Sequence, residues 1–451
     1  RSPYPHAKIL RIDTSKAEKL AGVRAVITAK DVPDGLHGLG IADKPILARD
    51  VVRFVGEPVA AVAAESESVA KQAVDLIEVE YEELRAIFDS EEAFGTDPPV
   101  VIHPDKHKYK LGSVITPLMD YTRPNITNYL QIVQGDVGKG FEEADLVVEN
   151  KYVFARQCTS PMEPHVYIAK WDADGNLTVW TSTQTPYRVQ WNLSQALKMP
   201  LTKIRVIQPW VGGGFGGKAE GLEESICAVL AQKSGRPVLL GMSREEELIC
   251  GRQGTPFIIH IKDGVKKDGT ITTRYIRYIM DVGAYCGISY LIVRNASYGA
   301  IGQYKYTNFK LEGYGVYTNN PPSGPIRGFG SPAVLFAIEQ QMDIIAEKLG
   351  IDPVEIRKKN LLKEGDRTAR NEEVHSIGVE ECLEKVAEAI GWSKRPRRED
   401  LGKIKRGVAL AIGNKYSVAP TMSSAFVKVH PDATVEIRTA ASDMGQGIYS
   451  A

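Results

Sequence analysis

The pattern of apolar and polar residues predicts a small α+β unit over residues 1–95. Some segments alternate or run apolar over strand lengths, and others repeat their apolar residues with helical spacing. The predicted strands are 7–12, 23–28, 59–64 and 78–82, and the predicted helices are 15–20 and 66–77. In the second helix Val69, Ala73 and Leu76 share one face, which is typical of an amphipathic helix.

Strands predominate after about residue 130. Examples of the predicted strands are 145–149, 177–180 and 204–207, and two strong helices are predicted at 222–234 and 333–349. Before them lies a stretch rich in Pro, Asp, His and Lys without a clear period, which is typical of a connection between domains. We therefore expect four segments, namely a first domain at 1–95, a connector at 96–130, a strand-rich domain at 131–400 and the start of a further domain at 401–451.

The composition is that of an average globular protein and excludes several classes. The 451 residues include 56 Lys and Arg against 56 Asp and Glu, so no net positive charge attracts nucleic acid or an anionic membrane. Hydrophobic residues make up 43%, but no stretch approaches the roughly 20 uninterrupted apolar residues of a membrane-spanning helix. The five cysteines are scattered without a C-x-x-C pair, which favours buried thiols in a reducing compartment and hence a cytoplasmic location.

The most informative segment is a glycine-rich loop at residues 212–218, GGGFGGK, which follows a predicted strand and precedes a predicted helix. Glycines allow sharp turns and let backbone N–H groups approach an anionic ligand, because no Cβ atom is in the way. One interpretation is a P-loop, since Gly212, Gly217 and Lys218 fit G-x-x-x-x-G-K. The next residue is Ala219, whose methyl group cannot bind magnesium as the Ser or Thr of that motif does.

A second interpretation is a dinucleotide-binding loop, since Gly212, Gly214 and Gly217 fit G-x-G-x-x-G between a strand and a helix. The next predicted strand is followed by Arg244 before any acidic residue, which suits a 2′-phosphate and hence an NADP-dependent dehydrogenase. A tight structural turn is the third interpretation, although five glycines around one phenylalanine exceed what a turn requires.

The loop also resembles the molybdopterin loop in the large subunit of the xanthine oxidase and aldehyde oxidoreductase family. Three other segments agree with that family in order and spacing. Residues 181–186 resemble its S-T-Q segment, residues 325–330 its R-G-F-G segment, and residues 443–447 its M-G-Q-G turn. The opening residues 1–3 and the later G-E-P-V at 56–59 resemble the family's small N-terminal hammerhead domain.

This resemblance implies both a fold and a function. The fold is α+β, with an α/β-hammerhead domain at 1–95, a mixed strand-rich molybdopterin-binding domain at 131–400 and the start of a second, incomplete one at 401–451. Family members hold a molybdenum–pterin cofactor and hydroxylate a carbon centre with oxygen from water. The implied protein is therefore a subunit of a molybdenum hydroxylase that acts on a small molecule.

The resemblance also implies roles for individual residues. Those expected to bind the cofactor are Gln184, Gly214, Phe215, Gly216, Arg327, Gly328, Gln446 and Gly447. Among them, Gln184 and Phe215 are expected to contact ligands of the molybdenum through a side-chain amide and a backbone N–H group. Residues expected to line the substrate pocket are Phe329, Arg294 and Asn295. Glu163 and His165 are expected to be structural and near the cofactor at most.

Two differences narrow the expected substrates. Purine-oxidising relatives have a glutamate directly after the loop lysine, where this chain has Ala219. The carbon monoxide-oxidising branch has a cysteine in the loop that is formed here by residues 326–329. An aldehyde, an N-heterocycle or an aromatic compound therefore remains the expected substrate.

No catalytic general base is expected within this chain. In the family the base is a glutamate in a late G-x-G-E segment, which nothing after Gln446 supplies here. We expect it on a remaining C-terminal molybdopterin-binding segment or a partner, and we expect the iron–sulfur and FAD groups on partner subunits as well. The alternatives are the NADP-dependent dehydrogenase and a non-catalytic scaffold of the same fold.

Overall fold

The computed structural model describes residues 1–112, 123–221, 223–394, 398–416 and 424–450. Two sequence predictions extend beyond these residues. Part of the expected connector, residues 113–122, lies outside them, as does Leu222, the expected first residue of a helix. Among the described residues, no helix combines the length and the apolar character needed to cross a membrane.

The N-terminal unit contains small antiparallel sheets and three helices. Its elements are β1 (Ala7–Asp13), α1 (Ser15–Lys19), β2 (Val23–Thr28), β3 (Ile41–Ala42), β4 (Val51–Val52), β5 (Ala60–Ala64), α2 (Glu67–Asp75), β6 (Glu78–Glu83) and α3 (Ser90–Ala93). One sheet has the order β4-β1-β6, and a second pairs β2 with β5. Helix α2 begins where the Ser66 side chain accepts a hydrogen bond from the N–H group of Val69, and it packs against β5. The strands and helices predicted for this unit are confirmed.

The larger unit is rich in strands, as the sequence predicts. Its elements are β7 (Lys110–Leu111), β8 (Ile126–Gln134), α4 (Val137–Glu142), β9 (Leu146–Phe154), β10 (Val166–Trp171), β11 (Leu177–Thr181), α5 (Pro186–Leu197), β12 (Ile204–Ile207), α6 (Glu224–Ser234), β13 (Val238–Gly241), α7 (Arg244–Ile249), β14 (Gln253–Gly254), β15 (Phe257–Val265), β16 (Ile271–Gly283), α8 (Tyr290–Ile301), β17 (Asn308–Tyr317), β18 (Ser323–Gly324), α9 (Ser331–Leu349), α10 (Pro353–Asn360), α11 (Val379–Ala389), β19 (Arg398–Leu401), β20 (Ile404–Gly407), β21 (Ala425–Val429) and β22 (Val435–Thr439).

A five-stranded sheet and two long helices form the main core. The strand order is β8-β17-β16-β15-β9, and only β16 and β17 in this sheet run parallel. Helix α8 packs against β8 and β17, α9 packs against β9 and β15, and the two helices also contact each other. The inward side chains of Ile259, Ile276 and Leu311 are completely buried between these layers. Buried and exposed residues alternate along these strands because the helices cover one face of the sheet.

A four-stranded sheet positions the glycine-rich loop. Its order is β12-β11-β10-β13, with β11 and β12 parallel and the other pairs antiparallel. Helix α6 packs against β10 and also against β2 and β5 of the N-terminal unit. Ile27, Ile226 and Leu230 belong to one buried cluster, so the N-terminal unit and this sheet share a hydrophobic core.

Some element boundaries differ from the sequence predictions. Strand β9 continues to Phe154, well past the predicted end at residue 149, because its pairing with β15 extends to Phe257. Helix α9 begins at Ser331, two residues early, because Pro332 is accepted in the first turn, where no backbone N–H is required. Both differences arise at element ends, where the partner strand or the cap decides the boundary.

A buried ion pair in the main core yields a stability prediction. The guanidinium of Arg274 donates two hydrogen bonds to the carboxylate of Asp263, at 2.7 and 2.8 Å, and both side chains are completely buried. Asp263→Ala should lower the free energy of unfolding by about 3–5 kcal/mol, because it leaves a buried charge without its partner. Urea denaturation followed by circular dichroism measures the change.

The matched control is the exposed pair between Lys8 and Glu82, whose atoms are 2.8 Å apart across β1 and β6. Glu82→Ala should change the free energy of unfolding by less than about 1 kcal/mol, since exposed pairs are weak. Similar losses for the two variants would contradict the structural importance of the buried pair.

Candidate functional site

The site begins at the carboxyl ends of the parallel strands β11 and β12. Ligands commonly bind in the crevice that such strand ends form. Gln184 follows β11 by three residues, and the glycine-rich loop at 212–218 follows β12. The N–H group of Gln184 donates to the carbonyl oxygen of Lys218 at 2.9 Å. The parallel pairing therefore brings two of the four sequence motifs into direct contact.

A side-chain hydrogen bond fixes Gln184 against the loop. The N–H group of Gly216 donates to Oε1 of Gln184 at 2.8 Å. A Cβ atom on Gly214 would lie 2.5 Å from the same oxygen, so the close approach requires glycine there. With Oε1 occupied, Nε2 of Gln184 remains a donor that has no hydrogen-bond partner in the described part of the chain.

The loop leaves four backbone donors unused. Gly212 donates its N–H to Glu163, Gly216 to Gln184, and Gly217 to the carbonyl oxygen of Gly214. In contrast, the N–H groups of Gly213, Gly214, Phe215 and Lys218 form no hydrogen bond with any described residue. Five donors from one small region, counting Nε2 of Gln184, are thus without a protein acceptor, which suits a ligand rich in acceptor atoms.

The third motif, at 325–330, lies directly against the loop. Gly216 has a φ angle of +108°, and a Cβ atom there would lie 2.3 Å from the carbonyl oxygen of Pro325. Phe215 and Phe329 are both left-handed, with φ angles of +52° and +55°. This conformation is rare for bulky residues, costs about 1–3 kcal/mol, and is found preferentially at functional sites. Phe215 is 48% exposed, whereas Phe329 is partly buried against the main core.

The remaining predicted residues of this region differ in their surroundings. Arg327 is exposed and forms no hydrogen bond or ion pair with a described residue, and Gly328 is half-buried with a φ angle of +100°. Arg294 and Asn295 lie on α8, and Arg294 is half-buried. Nε of Arg294 and Oδ1 of Asn295 are buried without a hydrogen-bond partner among the described residues. These two side chains therefore carry unsatisfied polar atoms, which is unusual in a protein interior.

The fourth motif, at 443–447, is connected to the base of the loop by a residue that sequence reasoning missed. Nε2 of Gln208, which directly follows β12, donates to the carbonyl oxygen of Asp443 at 2.7 Å. Gln446 and Gly447 are exposed. The Gln446 side chain forms hydrogen bonds within its own turn, with the N–H of Met444 and the carbonyl oxygen of Ser442. No sequence signal marked Gln208, because its partner is more than two hundred residues away.

Sequence reasoning also missed an ion pair underneath the loop between the buried Lys218 and the half-buried Glu163. Nζ of Lys218 donates to Oε2 of Glu163 at 2.7 Å, and the same oxygen accepts the N–H of Gly212 at 2.8 Å. The Lys218 side chain is completely buried, and burial lowers its pKa while the Glu163 charge opposes the shift. One carboxylate therefore holds both ends of the loop. His165, two residues on, contacts Glu247 through Nδ1 at 2.6 Å.

The geometry around the glycine-rich loop suits neither a P-loop nor a dinucleotide-binding loop. The Lys218 ammonium points to Glu163 beneath the loop, whereas a P-loop lysine must reach a phosphate above it. Strand β13, which follows α6, is separated from β12 by β11 and β10 in the sheet, whereas the two strands of a dinucleotide-binding βαβ unit are neighbours. Arg244 donates to the carbonyl oxygens of Pro161 and Met162, the latter at 3.0 Å.

Comparison with sequence families gives three matches. A profile described as a molybdopterin cofactor-binding domain matches residues 119–361. A profile described as the a/b hammerhead domain of aldehyde oxidase and xanthine dehydrogenase matches residues 1–85. A second molybdopterin cofactor-binding profile matches residues 385–451.

Curated relatives agree with these matches. The chain is 36% identical over 416 residues to a probable xanthine dehydrogenase subunit from Bacillus subtilis, covering 91% of this chain and 53% of that protein. It is 35% identical over 400 residues to the nicotinate dehydrogenase large molybdopterin subunit of Eubacterium barkeri, covering 87% of this chain and 90% of that protein. The chain thus spans about half the length of the Bacillus protein and most of the Eubacterium protein.

Solved structures show the same fold. The aldehyde oxidoreductase from Desulfovibrio gigas has a TM-score of 0.83 at 28% identity, over 97% of this chain and 48% of that chain. Quinoline 2-oxidoreductase from Pseudomonas putida 86 has a TM-score of 0.84 at 26% identity, over 99% of this chain and 59% of that chain. The α+β architecture expected from the sequence is thereby confirmed.

The ion pair beneath the loop is open to a direct test. Glu163→Ala should lower the free energy of unfolding by about 2–4 kcal/mol, because the buried Lys218 ammonium loses its partner and Gly212 loses its acceptor. Chemical denaturation measures the loss. Glu245→Ala is the matched control, since Glu245 is exposed on α7. A Glu163→Ala variant as stable as this control would refute the support that Glu163 gives the loop.

Proposed function

The chain belongs to the xanthine dehydrogenase and aldehyde oxidoreductase family of molybdopterin-binding proteins, and from this membership we propose that it is the cofactor-binding part of a molybdenum hydroxylase. The bound cofactor would supply the hydroxylation of a carbon centre with oxygen from water. The observation that carries the proposal is the contact of Gln184 with the loop at Gly216, beside the segment that begins at Pro325.

The free donors of the loop fit such a cofactor. A pterin with a phosphate and oxygen ligands presents many acceptors, which amide groups can bind without adding charge. Gly214 and Phe215 would each donate a backbone N–H group, and Gln184 would donate through Nε2. The Gly216 N–H holds Gln184 in place, so its contribution would be to orient that side chain. The hydrogen bonds of Gly212, Gly216 and Gly217 hold the loop in the conformation that presents these donors.

The more distant parts of the cofactor would be bound by two further motifs. Arg327 and Gly328 follow the segment that touches Gly216, which supports their assignment to the end of the pterin nearest the metal. Gln446 and Gly447 would bind the pterin itself. Their assignment is supported by the hydrogen bond from Gln208 to Asp443, which connects this turn to the loop.

The substrate would enter beside the two left-handed phenylalanines. Phe215 and Phe329 would form apolar walls that orient a flat molecule, with Arg294 and Asn295 as its polar contacts. We propose an aldehyde, an N-heterocycle or an aromatic compound. Three relatives are named for aldehyde, nicotinate and quinoline. Another is named for the purine xanthine, against which Ala219 argues.

The general base would come from a partner segment that completes the second molybdopterin-binding domain. Strands β21 and β22 form a two-stranded hairpin with many exposed apolar side chains, namely Phe426, Val427, Val429, Val435 and Ile437. Such a hairpin is scarcely stable by itself and needs additional strands to cover it. Relatives that extend well beyond the matched length support this partner.

The electron-transfer groups would also be carried by partners. We propose an iron–sulfur subunit and an FAD subunit, since the five cysteines of this chain are separate free thiols. Free thiols of this kind are typical of a reducing compartment, which supports a cytoplasmic complex.

Cofactor content provides the main test. The purified native complex should contain molybdenum, measured by metal analysis, and a pterin, measured by the fluorescence of its oxidised form. Gly214→Ala should lower the molybdenum content by about tenfold, because the new Cβ atom displaces the Gln184 side chain.

Gly378→Ala is the matched control, since a Cβ atom there meets nothing within 4 Å and its φ angle of −110° suits alanine. An active complex without molybdenum would reject the proposed function. A complex that holds the cofactor but stays inactive with its full set of subunits would identify a non-catalytic scaffold instead.

A further inference from the structure

An asparagine occupies a core position of helix α5. The buried residues of this helix include Val189, Leu193 and Ala196, and Asn192 lies on the same side and is 5% exposed. Its Oδ1 and Nδ2 atoms are both buried and have no hydrogen-bond partner among the described residues. A buried amide without partners is costly, so we expect its surroundings to supply them.

His37 of the N-terminal unit faces the same cavity as Asn192. Its side chain is buried, and Nε2 has no hydrogen-bond partner within the described part of the chain. Burial lowers the pKa of His37 to about 3, and the positive charges of Lys44 and Arg252 act in the same direction. The imidazole is therefore neutral, so Nε2 needs a hydrogen-bond partner rather than a counterion.

The backbone around His37 packs directly against α5. A Cβ atom on Gly35 would lie 2.4 Å from the carbonyl oxygen of Gln195. The N–H group of Gly38 donates to Oε1 of Gln195 at 3.4 Å. The cavity that His37 and Asn192 share therefore lies at a contact between the N-terminal unit and this helix.

The size and the surroundings of the cavity define what it can hold. It has room for about one water molecule, which excludes a larger ligand. Glu224, the first residue of α6, also lines it, and this carboxylate, which accepts a hydrogen bond from Oγ1 of Thr181 at 2.9 Å, disfavours an anion. The charges of Lys44 and Arg252 disfavour a cation beside His37. A small neutral molecule that both donates and accepts hydrogen bonds remains.

We propose that a bound water molecule bridges His37 and Asn192 and thereby joins the N-terminal unit to α5. Water suits both partners, because it donates to an unpaired acceptor and accepts from an unpaired donor. It satisfies Nε2 of His37 in either tautomer, and at the same time one end of the Asn192 amide. Buried water of this kind is part of the folded structure and is costly to remove.

This water bridge holds the helix that follows Gln184 at a second point. The beginning of α5 is attached to the end of the glycine-rich loop, where Oγ1 of Thr185 donates to the carbonyl oxygen of Ala219 at 2.8 Å. Asn192 lies about two turns further along the helix. The two attachments together fix α5 between the loop and the N-terminal unit. The inference concerns packing alone, so it does not depend on the proposed function.

A crystal structure of the native complex tests the proposal. It should show a water molecule within about 3.2 Å of both Nε2 of His37 and one polar atom of Asn192. Crystals pressurised with xenon should hold no xenon in this cavity, because xenon enters cavities that are dry and apolar. Xenon there, or a metal ion bound to His37, would overturn the proposal. So would a cavity without density at a resolution that shows buried water elsewhere in the molecule.

Two variants of equal size provide a test in solution. Asn192→Ser keeps a donor and an acceptor for the water, whereas Asn192→Ala keeps neither. With water bound, the serine variant should have the higher urea midpoint of unfolding. In a dry cavity the order is reversed, because the serine hydroxyl is then buried without a partner and alanine has the higher helix propensity.

Lys71, exposed on α2, is the matched control position. Lys71→Ser should have a lower urea midpoint than Lys71→Ala, since only helix propensity separates the two variants there. Alanine above serine at both positions would overturn the water bridge. Serine above alanine at position 192 alone would support it.

Discussion

The hydrogen bond from the Gly216 N–H group to Oε1 of Gln184 is the contact on which the site depends. It joins the segments that follow two parallel strands. It also occupies the oxygen of the Gln184 side-chain amide, so that the NH2 group is left to donate to a ligand. The contact is possible because position 214 has no Cβ atom, which would otherwise occupy the place of the Gln184 carboxamide. The glycines therefore allow the loop to pack closely against the Gln184 side chain, and they also leave its backbone N–H groups accessible to a ligand. A loop of the same length with alanines could not bring these groups together.

The charge arrangement explains why the loop can be rigid and still offer free donors. Beneath it, Glu163 pairs with the buried Lys218 and also holds the N–H of Gly212. The lysine thus contributes to the support of the loop rather than to a phosphate site, which separates this fold from nucleotide-binding loops with similar sequences. Above it, the N–H groups of Gly214 and Phe215 have no partner among the described residues. Pre-organised donors of this kind bind a ligand without a large ordering cost.

A second carboxylate, that of Glu220, lies at the end of the loop. It forms a salt bridge with Arg252 at 2.9 Å, and its negative charge opposes the lowering of the pKa of Arg188 that burial causes. The Glu220 carboxylate also attaches α8 to the loop through Ile288. One residue therefore connects the packing of the helix to the electrostatics of the pocket.

The sequence by itself determined the elements with strong local periodicity, such as β1, α2, β12 and α9, because their spacing of apolar residues reflects a face that must be buried. It also determined the family, since the motifs around Gln184, Phe215, Arg327 and Gln446 are short and ordered along the chain. The roles of individual site residues stay predictions. Only the tertiary structure decided the hydrogen bond of Gln208 with Asp443 and the burial of Lys218 against Glu163. Each of these depends on segments far apart in the chain. Pairing and its absence are properties of the packed molecule, which local spacing does not encode.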